Sequence, residues 1–207
     1  MSSPSTSLRE RRRSETWMSI HEAAASLALE RGLENATVEA VAEAAGVSPR
    51  TFFNYFATKD DAVLGMRQPV LEPALVDELR LDHDVLDQVS RLLLAVYRSA
   101  FSGTDVARRQ RLVRDNPRLG ERRRELMAGA EDLVRQTLTD LLGAHPDWSA
   151  GLGQHAVEDV ARMLVILAAV PLRSAIQSPD HDAAAGLTPE NLASSLSLLH
   201  QLLGKLS

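Results

Sequence analysis

Cysteine is absent from the 207-residue sequence, and this absence excludes several kinds of chemistry. Without thiols the chain can form no disulfide bond, no thiolate metal site and no cysteine nucleophile. A chain without cysteine suits the reducing cytosol, so we expect a cytoplasmic location.

Long apolar runs are also missing. No stretch reaches the roughly 18 uninterrupted apolar residues that a transmembrane helix needs. The amino end is polar and then rich in arginine, without the apolar stretch of a secretory signal. We therefore expect no membrane partner and no secretory signal.

Charge of one sign is not in large excess, since 23 basic residues face 28 acidic ones and the net charge is −5. Binding of nucleic acid through bulk positive charge is excluded, so such binding would need a local patch. The six histidines are scattered, and no His-Glu-x-x-His pair, Gly-rich phosphate loop or Gly-x-Ser-x-Gly sequence occurs. The sequence thus predicts no metal site, no cofactor and no enzymatic activity.

Apolar residues with helical spacing are what the chain does contain. In the first predicted helix they recur at Trp17, Ile20, Ala24, Leu27 and Ala28, and Gly32 ends that helix. Further segments with this spacing are 84–101, 105–115, 118–142, 154–177 and 189–205. Sustained alternation with β-branched residues is not found, so we predict an all-α fold.

Three segments follow from this pattern. Residues 1–13 are predicted to form a flexible basic arm, whose arginines are Arg9, Arg11, Arg12 and Arg13. The arm has two interpretations, entry into a minor groove or a solubilising tail. Residues 14–66 are predicted to form the DNA-binding segment, a tight three-helix unit whose boundary lies within a fourth helix that runs from about Thr58 to about Gln68. Residues 67–207 are predicted to form a larger antiparallel helical bundle.

Two short predicted helices of the first unit, 38–45 and 49–56, are joined by the turn Gly46-Val47-Ser48. Thr37 and Ser48 are residue types that cap helix N-termini, and Pro49 suits a first helical position. Two short helices around a Gly-containing turn are typical of a helix-turn-helix, here over about residues 37–56.

The second of these helices has one aromatic face and one polar face. At 100° per residue, Asn54 lies about 40° and Thr51 about 100° from Arg50, whereas Phe52 and Phe56 lie near 200° and 240°. Arginine can donate two hydrogen bonds to guanine, asparagine can pair with adenine, and a threonine methyl can contact thymine. The polar face is therefore predicted to read base edges in a major groove.

Three other side chains of this region suit phosphate groups: Thr37, Tyr55 and Lys59. Two of them lie at or beside predicted helix N-termini, where backbone amides already point towards an anion. For Tyr55 the alternative is an ordinary core residue.

The stretch from Gly32 to Asp61 resembles the DNA-binding domain of the TetR family of transcriptional regulators. The shared features are the capping Thr37, the turn Ala44-Ala45-Gly46-Val47-Ser48, Thr51, the aromatic residues Phe52, Phe53, Tyr55 and Phe56, and Lys59 with acids behind it. By position, the resemblance implies DNA contacts at Thr37, Val38, Glu39, Ser48, Pro49, Arg50, Thr51, Phe53, Asn54, Tyr55 and Lys59.

Two positions depart from the family pattern. Glu39 would repel phosphate, and Phe53 lacks a hydroxyl, so packing or a thymine methyl contact is expected for it.

The resemblance also implies a function. Proteins of this family are homodimers whose carboxy-terminal domain, here residues 67–207, binds a small-molecule effector and dimerises through its last two helices, here about 154–177 and 189–205. Most are repressors that leave a pseudo-palindromic operator when the effector binds. The alternatives are an activator of the same family and a helical ligand-binding or interaction module without DNA binding.

The last two predicted helices each carry an apolar seam. One seam comprises Val157, Ala161, Leu164 and Ala168, and the other comprises Leu192, Leu196, Leu199, Leu203 and Leu206. Two such seams suit a four-helix bundle made by two subunits. The alternative is that both seams are buried within one monomer.

Two further groups of residues are candidates for effector binding. The predicted pocket comprises Tyr97, Phe101, Met127, Leu133, Met163 and Leu167 with Arg173 or His145 as polar partners, and ordinary core is the alternative for each. Residues 108–124 hold eight arginines and two acids. They are candidates for an anionic effector site or an added attraction for DNA, but we favour a pair of solvated helix faces.

Overall fold

A computed structural model of the chain describes residues 8–101, 106–178 and 187–206. The regular structure in these ranges is helical, without a strand, and the predicted all-α fold is confirmed. An isolated antiparallel bridge joins Met66 to Phe101. Within the same ranges no helix is both long and apolar enough to cross a membrane.

The α-helices of the described ranges differ widely in length, from the four residues of α9 to the 28 residues of α8. They are α1 Leu8–Arg31, α2 Val38–Ala44, α3 Pro49–Phe53, α4 Lys59–Leu64, α5 Pro73–Asp77, α6 Val85–Ser99, α7 Val106–Asp115, α8 Pro117–Ala144, α9 Pro146–Ser149, α10 Val157–Gln177 and α11 Pro189–Leu206. Short 3-10 turns lie at Leu33–Asn35 and Ala150–Leu152.

The chain divides into two compact units. The first unit comprises residues 1–67 and 101–123, and the second comprises residues 68–100 and 124–207. The predicted domain 14–66 lies within the first unit. Residues 101–123, which were predicted to belong to the second domain, also lie in the first unit, and the ion pairs described below give the physical reason.

Helix α1 begins earlier than its sequence predicts. The expectation of a flexible arm over residues 1–13 is wrong for residues 8–13, which form the first turns of α1; residues 1–7 lie outside the described ranges. Arginine and glutamate are good helix formers, and no glycine or proline interrupts this stretch. The Thr16 hydroxyl donates to the carbonyl of Arg12 at 2.9 Å within the added turns.

Helix α4 ends earlier than predicted, because Gly65 terminates it before Pro69 is reached. Gly65 has φ +61°, the left-handed conformation that ends many helices. A Cβ at this position would lie 2.8 Å from the ring of His21 on α1. The His21 Nδ1–H donates to the carbonyl of Ala62 at 2.7 Å, and burial lowers the pKa of His21, so a neutral imidazole joins the two helices.

The core of the second unit is built from α6, α8, α10 and α11. Its most buried side chains include Leu93 and Val96 from α6, Val134 and Leu138 from α8, Leu172 from α10 and Leu192 from α11. The periodic apolar residues of these helices therefore meet within one chain.

The predicted dimer seams are partly buried within this core. Ala161 and Ala168 of α10, and Leu192 and Leu196 of α11, are buried against the unit's own helices, so the expectation that the whole seams face a second subunit is wrong. Other apolar side chains of the same helices are exposed: Met163, Ile166, Leu167 and Val170 on α10, and Leu198, Leu202, Leu203 and Leu206 on α11. The spacing of apolar residues predicted these two helices correctly, but it did not predict which of their apolar side chains are buried.

The conformation and the contacts of Gly65 predict a large loss of stability for Gly65→Ala. The change places an L-residue in the left-handed region, which costs about 1–2 kcal/mol, and also displaces the buried His21 ring. Gly46→Ala is the matched control, since Gly46 has φ +68° but a Cβ there meets nothing within 4 Å. Denaturant unfolding should show a clearly greater loss for Gly65→Ala, and equal losses would contradict the role of His21.

Candidate nucleic-acid interface

Helices α2 and α3 form a helix-turn-helix whose caps are those predicted. The Thr37 hydroxyl accepts from the amide of Ala40 at 3.2 Å, and the Ser48 hydroxyl accepts from the amide of Thr51 at 3.0 Å. Gly46 lies in the turn with φ +68°. Because each cap satisfies an otherwise unpaired amide, both helices begin at defined residues.

Helix α3 ends at Phe53, before the predicted end at residue 56, but the buried and exposed side chains of 49–56 are separated as the helical spacing predicts. Phe52 and Phe56 are buried, whereas Arg50, Phe53 and the C-cap residue Asn54 are exposed. Phe53 has 58% of its surface exposed and meets Phe52 edge to face, with ring centroids 5.4 Å apart. A large exposed aromatic ring beside a cation and an amide is a surface suited to base edges.

Helix α1 holds the helix-turn-helix from behind. The ring of Trp17 lies 5.1 Å from that of Phe56, centroid to centroid, and the Ser19 hydroxyl donates to the carbonyl of Ala45 at 3.3 Å. The contact of Trp17 holds Phe56, just after α3, and the hydrogen bond of Ser19 holds the turn between α2 and α3. The polar face of α3 is therefore carried by a packed aromatic core.

Three of the predicted contact residues have internal partners. The Thr51 and Ser48 hydroxyls lie 2.9 Å apart, so Thr51 offers its methyl group more readily than its hydroxyl. The Lys59 ammonium donates to the carbonyl of Leu33 at 2.7 Å and is half-buried. Since an ammonium has three donors, this bond leaves Lys59 able to contact a phosphate. Tyr55 is half-buried.

Two nearly buried carboxylates at the start of α4 are bonded to arginines of α8. Arg118 donates from Nε to Asp60 at 2.8 Å, and Arg122 donates to both oxygens of Asp61 at 2.7 and 3.3 Å. The side chains of Asp60 and Asp61 are only 6% and 9% exposed. Charged hydrogen bonds at such positions are stronger than those of open surface pairs.

Two arginines of α7 bind the same unit. Arg108 donates both terminal nitrogens to the carboxylate of Glu22 at 2.6 and 2.7 Å, and this bond lowers the pKa of Glu22. Arg109 donates to the carbonyl of Leu64, at the end of α4, at 2.8 Å, and its guanidinium lies 4.8 Å from the ring centroid of Phe101. We call Arg108, Arg109, Arg118 and Arg122 the arginine clamp.

The arginine clamp corrects the interpretation of residues 108–124 that we favoured. Four of the eight arginines are bound to α1 or α4 rather than forming solvated helix faces. The signal that sequence reasoning missed is the acid pair Asp60-Asp61, whose negative charge at the start of a helix is also favourable without any partner. Its partners lie some 60 residues away and no local spacing relates them.

Comparison with known proteins finds a family match for part of the first unit. Residues 20–64 match the family described as bacterial regulatory proteins, tetR family. The chain carries a TetR-family amino-terminal domain. The predicted resemblance is confirmed, and the matched residues run from the middle of α1 to the end of α4.

Relatives of the TetR-family domain include a curated protein. The chain is 44% identical over 57 residues to the HTH-type transcriptional regulator TcmR of Streptomyces glaucescens, a match that covers 28% of this chain and 25% of TcmR. The match thus spans about a quarter of the length of that relative.

Two solved structures are similar over most of the chain. One is FadR of Thermus thermophilus, a TetR-family transcriptional repressor in complex with lauroyl-CoA, with 24% identity, coverage of 88% of this chain and 92% of that one, and a TM-score of 0.41. The other is a transcriptional regulator from Rhodococcus sp. Rha1, with 24% identity, coverage of 89% and 96%, and a TM-score of 0.30.

The structure brings together two of the predicted effector-binding residues. The Tyr97 hydroxyl donates to Oε1 of Glu131 at 2.7 Å, and Arg173 donates to the same oxygen at 3.1 Å. Burial and the bond to Glu131 raise the pKa of Tyr97, so the phenol stays protonated. Glu131 was not among the predicted pocket residues, because no local spacing relates it to Tyr97 or Arg173. Its i+4 neighbour Arg135 bonds to Asp132 instead.

The other predicted pocket residues lie apart. Met163 and Leu167 are on the exposed face of α10, Met127 is half-buried on α8, and Phe101 lies in the first unit beneath Arg109. Leu133 packs at the edge of the core, and His145 is exposed. Among the residues that the structure describes, no group of three or more His, Asp or Glu side chains could hold a metal ion.

The arginine clamp predicts a measurable coupling between Asp61 and Arg122. A double-mutant cycle of Asp61→Ala and Arg122→Ala should give a coupling energy of about 1.5–3 kcal/mol, since the pair makes charged, mostly buried hydrogen bonds. Arg111→Ala is the control, because Arg111 is exposed and lies 3.7 Å from Asp115. That control should change stability by less than about 0.5 kcal/mol. Additive losses in the cycle would refute the clamp.

Proposed function

We propose that this protein is a dimeric, effector-responsive transcriptional repressor that binds a pseudo-palindromic operator. The observation that carries the proposal is the exposed surface of Arg50, Phe53 and Asn54 on a capped α3, backed by buried Phe52 and Phe56. The TetR-family match over residues 20–64 supports the same role.

The exposed residues of α3 divide into base-reading and phosphate-binding groups. Arg50 is placed to donate two hydrogen bonds to guanine, Asn54 to pair with adenine, and Phe53 to contact a thymine methyl, each good bidentate pair discriminating by roughly 1–3 kcal/mol. Thr37, Ser48 and Lys59 lie at helix N-termini and suit phosphates, and Tyr55, which follows the end of α3, is assigned to the same group.

The exposed apolar faces of α10 and α11 support a homodimer. On α10, Leu167 and Val170 lie within about 40° of Met163, whereas the buried Ala168 lies about 140° away. Leu198 and Leu202 are similarly close on α11. Contiguous apolar faces of this kind mark protein interfaces, and a two-fold dimer would place two recognition helices on two half-sites.

The effector response is a thermodynamic coupling between an effector site in the second unit and the DNA-binding surface of the first unit. Tyr97, Glu131 and Arg173 form a polar cluster in the second unit, in which Tyr97 and Glu131 are half-buried and Arg173 is exposed, and an effector that competes for Glu131 would disrupt it. Helix α8 contributes its first residues, including Arg118 and Arg122, to the first unit and its later residues to the second. A shift of this helix would alter the arginine clamp, with a typical coupling of roughly 1–3 kcal/mol.

The base-reading assignment predicts different effects for Asn54→Ala and Lys59→Ala. The first change should relax sequence preference, whereas the second should weaken binding to every duplex by a similar factor, since phosphate contacts carry no sequence information. Selection from random DNA and titration at fixed salt measure both effects. Arg114→Ala, an exposed cation of α7, is the control and should leave both unchanged. An unaltered operator preference in Asn54→Ala would refute the assignment.

The dimer surface predicts that Val170→Asp and Leu202→Asp produce folded monomers. A charge on an apolar face covered by a second subunit is left desolvated and unpaired, which opposes association. Ile176→Asp is the matched control, because Ile176 is an equally exposed apolar residue of α10 about 120° from Val170. Sedimentation should give twice the 22.6 kDa chain mass for the parent and for Ile176→Asp. Dimers of Val170→Asp and Leu202→Asp would disprove the interface.

A further inference from the structure

A groove of about 300 Å³ lies between α6 and α11 in the second unit, and no role described above uses it. Its wall includes Arg91, Leu94 and Arg98 from α6, and Leu192, Ala193 and Leu196 from α11. The volume is at the lower end of the range for small-molecule sites.

The groove has an apolar floor and a cationic edge. Leu94, Leu192 and Leu196 are at most 5% exposed and form the floor. Arg91 and Arg98 are exposed, and because they are seven residues apart they lie within about 20° of each other around α6. Leu94 lies between them on the same side of the helix, so both charges border one apolar strip.

The two arginines lack a neutralising acid. No ion pair or hydrogen bond joins Arg91 or Arg98 to a carboxylate within residues 8–101, 106–178 and 187–206. Glu190 is the acid whose charge faces Arg98, but its carboxylate is held by its own amide and by the Thr188 hydroxyl. Asp87, one turn before Arg91 on α6, lies 3.0 Å from the imidazole of His200 on α11. Both Glu190 and Asp87 are thus engaged by other groups, and neither is paired with Arg91 or Arg98 by a hydrogen bond.

The groove is distinct from the two sites of the proposed function. Around α11, Leu196 lies about 160° from Leu198, which belongs to the exposed dimer face. Around α6, Tyr97 lies about 120° from Arg91, on the side that faces Glu131. Neither dimerisation through the exposed faces nor an effector at Tyr97 would occupy this groove.

We propose that the groove between α6 and α11 binds an amphipathic organic anion, with its apolar body on the leucine floor and its acid group between Arg91 and Arg98. A guanidinium pair complements a carboxylate or sulfonate, and burial of an apolar body against leucine side chains supplies the rest of the affinity. This ligand class follows from charge complementarity together with the apolar floor.

Isothermal titration of the full chain with decanoate tests the proposal, with 1-decanol and decyltrimethylammonium as probes of equal chain length. Decanoate should bind once per chain, more tightly than either uncharged or cationic probe, and more weakly at high salt. The double variant Arg91→Gln/Arg98→Gln should weaken decanoate binding about tenfold, in line with the loss of charged hydrogen bonds.

Two further variants locate the site. Ala193→Trp, a change on the groove wall, should abolish decanoate binding while circular dichroism remains helical. Arg111→Gln, in the first unit, should leave binding unchanged. The proposal is overturned by the absence of decanoate binding, by equal binding of the three probes, or by binding that survives both Ala193→Trp and the double arginine variant.

Discussion

The bonds between α4 and the arginine clamp are the constraint on which the first unit depends. Asp60 and Asp61 lie almost out of solvent, where an unpaired carboxylate is costly. Arg122 binds both oxygens of Asp61, whereas Arg118 binds one oxygen of Asp60 and offsets only part of the cost of its burial. Helix α4 then positions Lys59 against Leu33 in the 3-10 turn that follows α1, and α1 supports the aromatic core behind α3. The orientation of a five-residue recognition helix thus rests on side chains far along the chain, and residues 101–123 are part of the DNA-binding unit in the physical sense.

The features that sequence could predict are those whose causes are local. Thr37, Ser48 and Thr58 cap the helices that follow them, because a side-chain oxygen three residues before an amide can reach it in any fold. The division of α3 into a buried face with Phe52 and an exposed face with Arg50 follows from the helical repeat alone. These local rules also carried the resemblance to the TetR family, since its cap, turn and aromatic residues are closely spaced.

The features that sequence could not predict depend on partners distant in the chain. Arginines every three or four residues look like a solvated face, and only the fold shows that acids of α4 bind them. The apolar spacing in α10 and α11 predicted an apolar seam on each helix. It did not distinguish side chains that are buried in the chain's own core, such as Ala168, from those that are exposed, such as Val170. Glu131 joins Tyr97 to Arg173 across helices, although Arg135 is its natural neighbour along α8. In each case the local sequence pattern is compatible with two different sets of contacts, and only tertiary packing determines which set forms.

The small size of the recognition surface itself argues for two copies. Helix α3 exposes two residues suited to bidentate base contacts, Arg50 and Asn54, and each such contact discriminates by roughly 1–3 kcal/mol. Specific DNA binding usually exceeds non-specific binding by about 4–10 kcal/mol. With a net charge of −5, the chain has no general attraction for phosphate to lengthen its residence on DNA. One surface therefore falls at the lower limit of useful specificity, whereas two copies that read two half-sites reach the middle of the range. The apolar faces of α10 and α11, which the single chain leaves in contact with water, are the surfaces through which the proposed dimer would pair them.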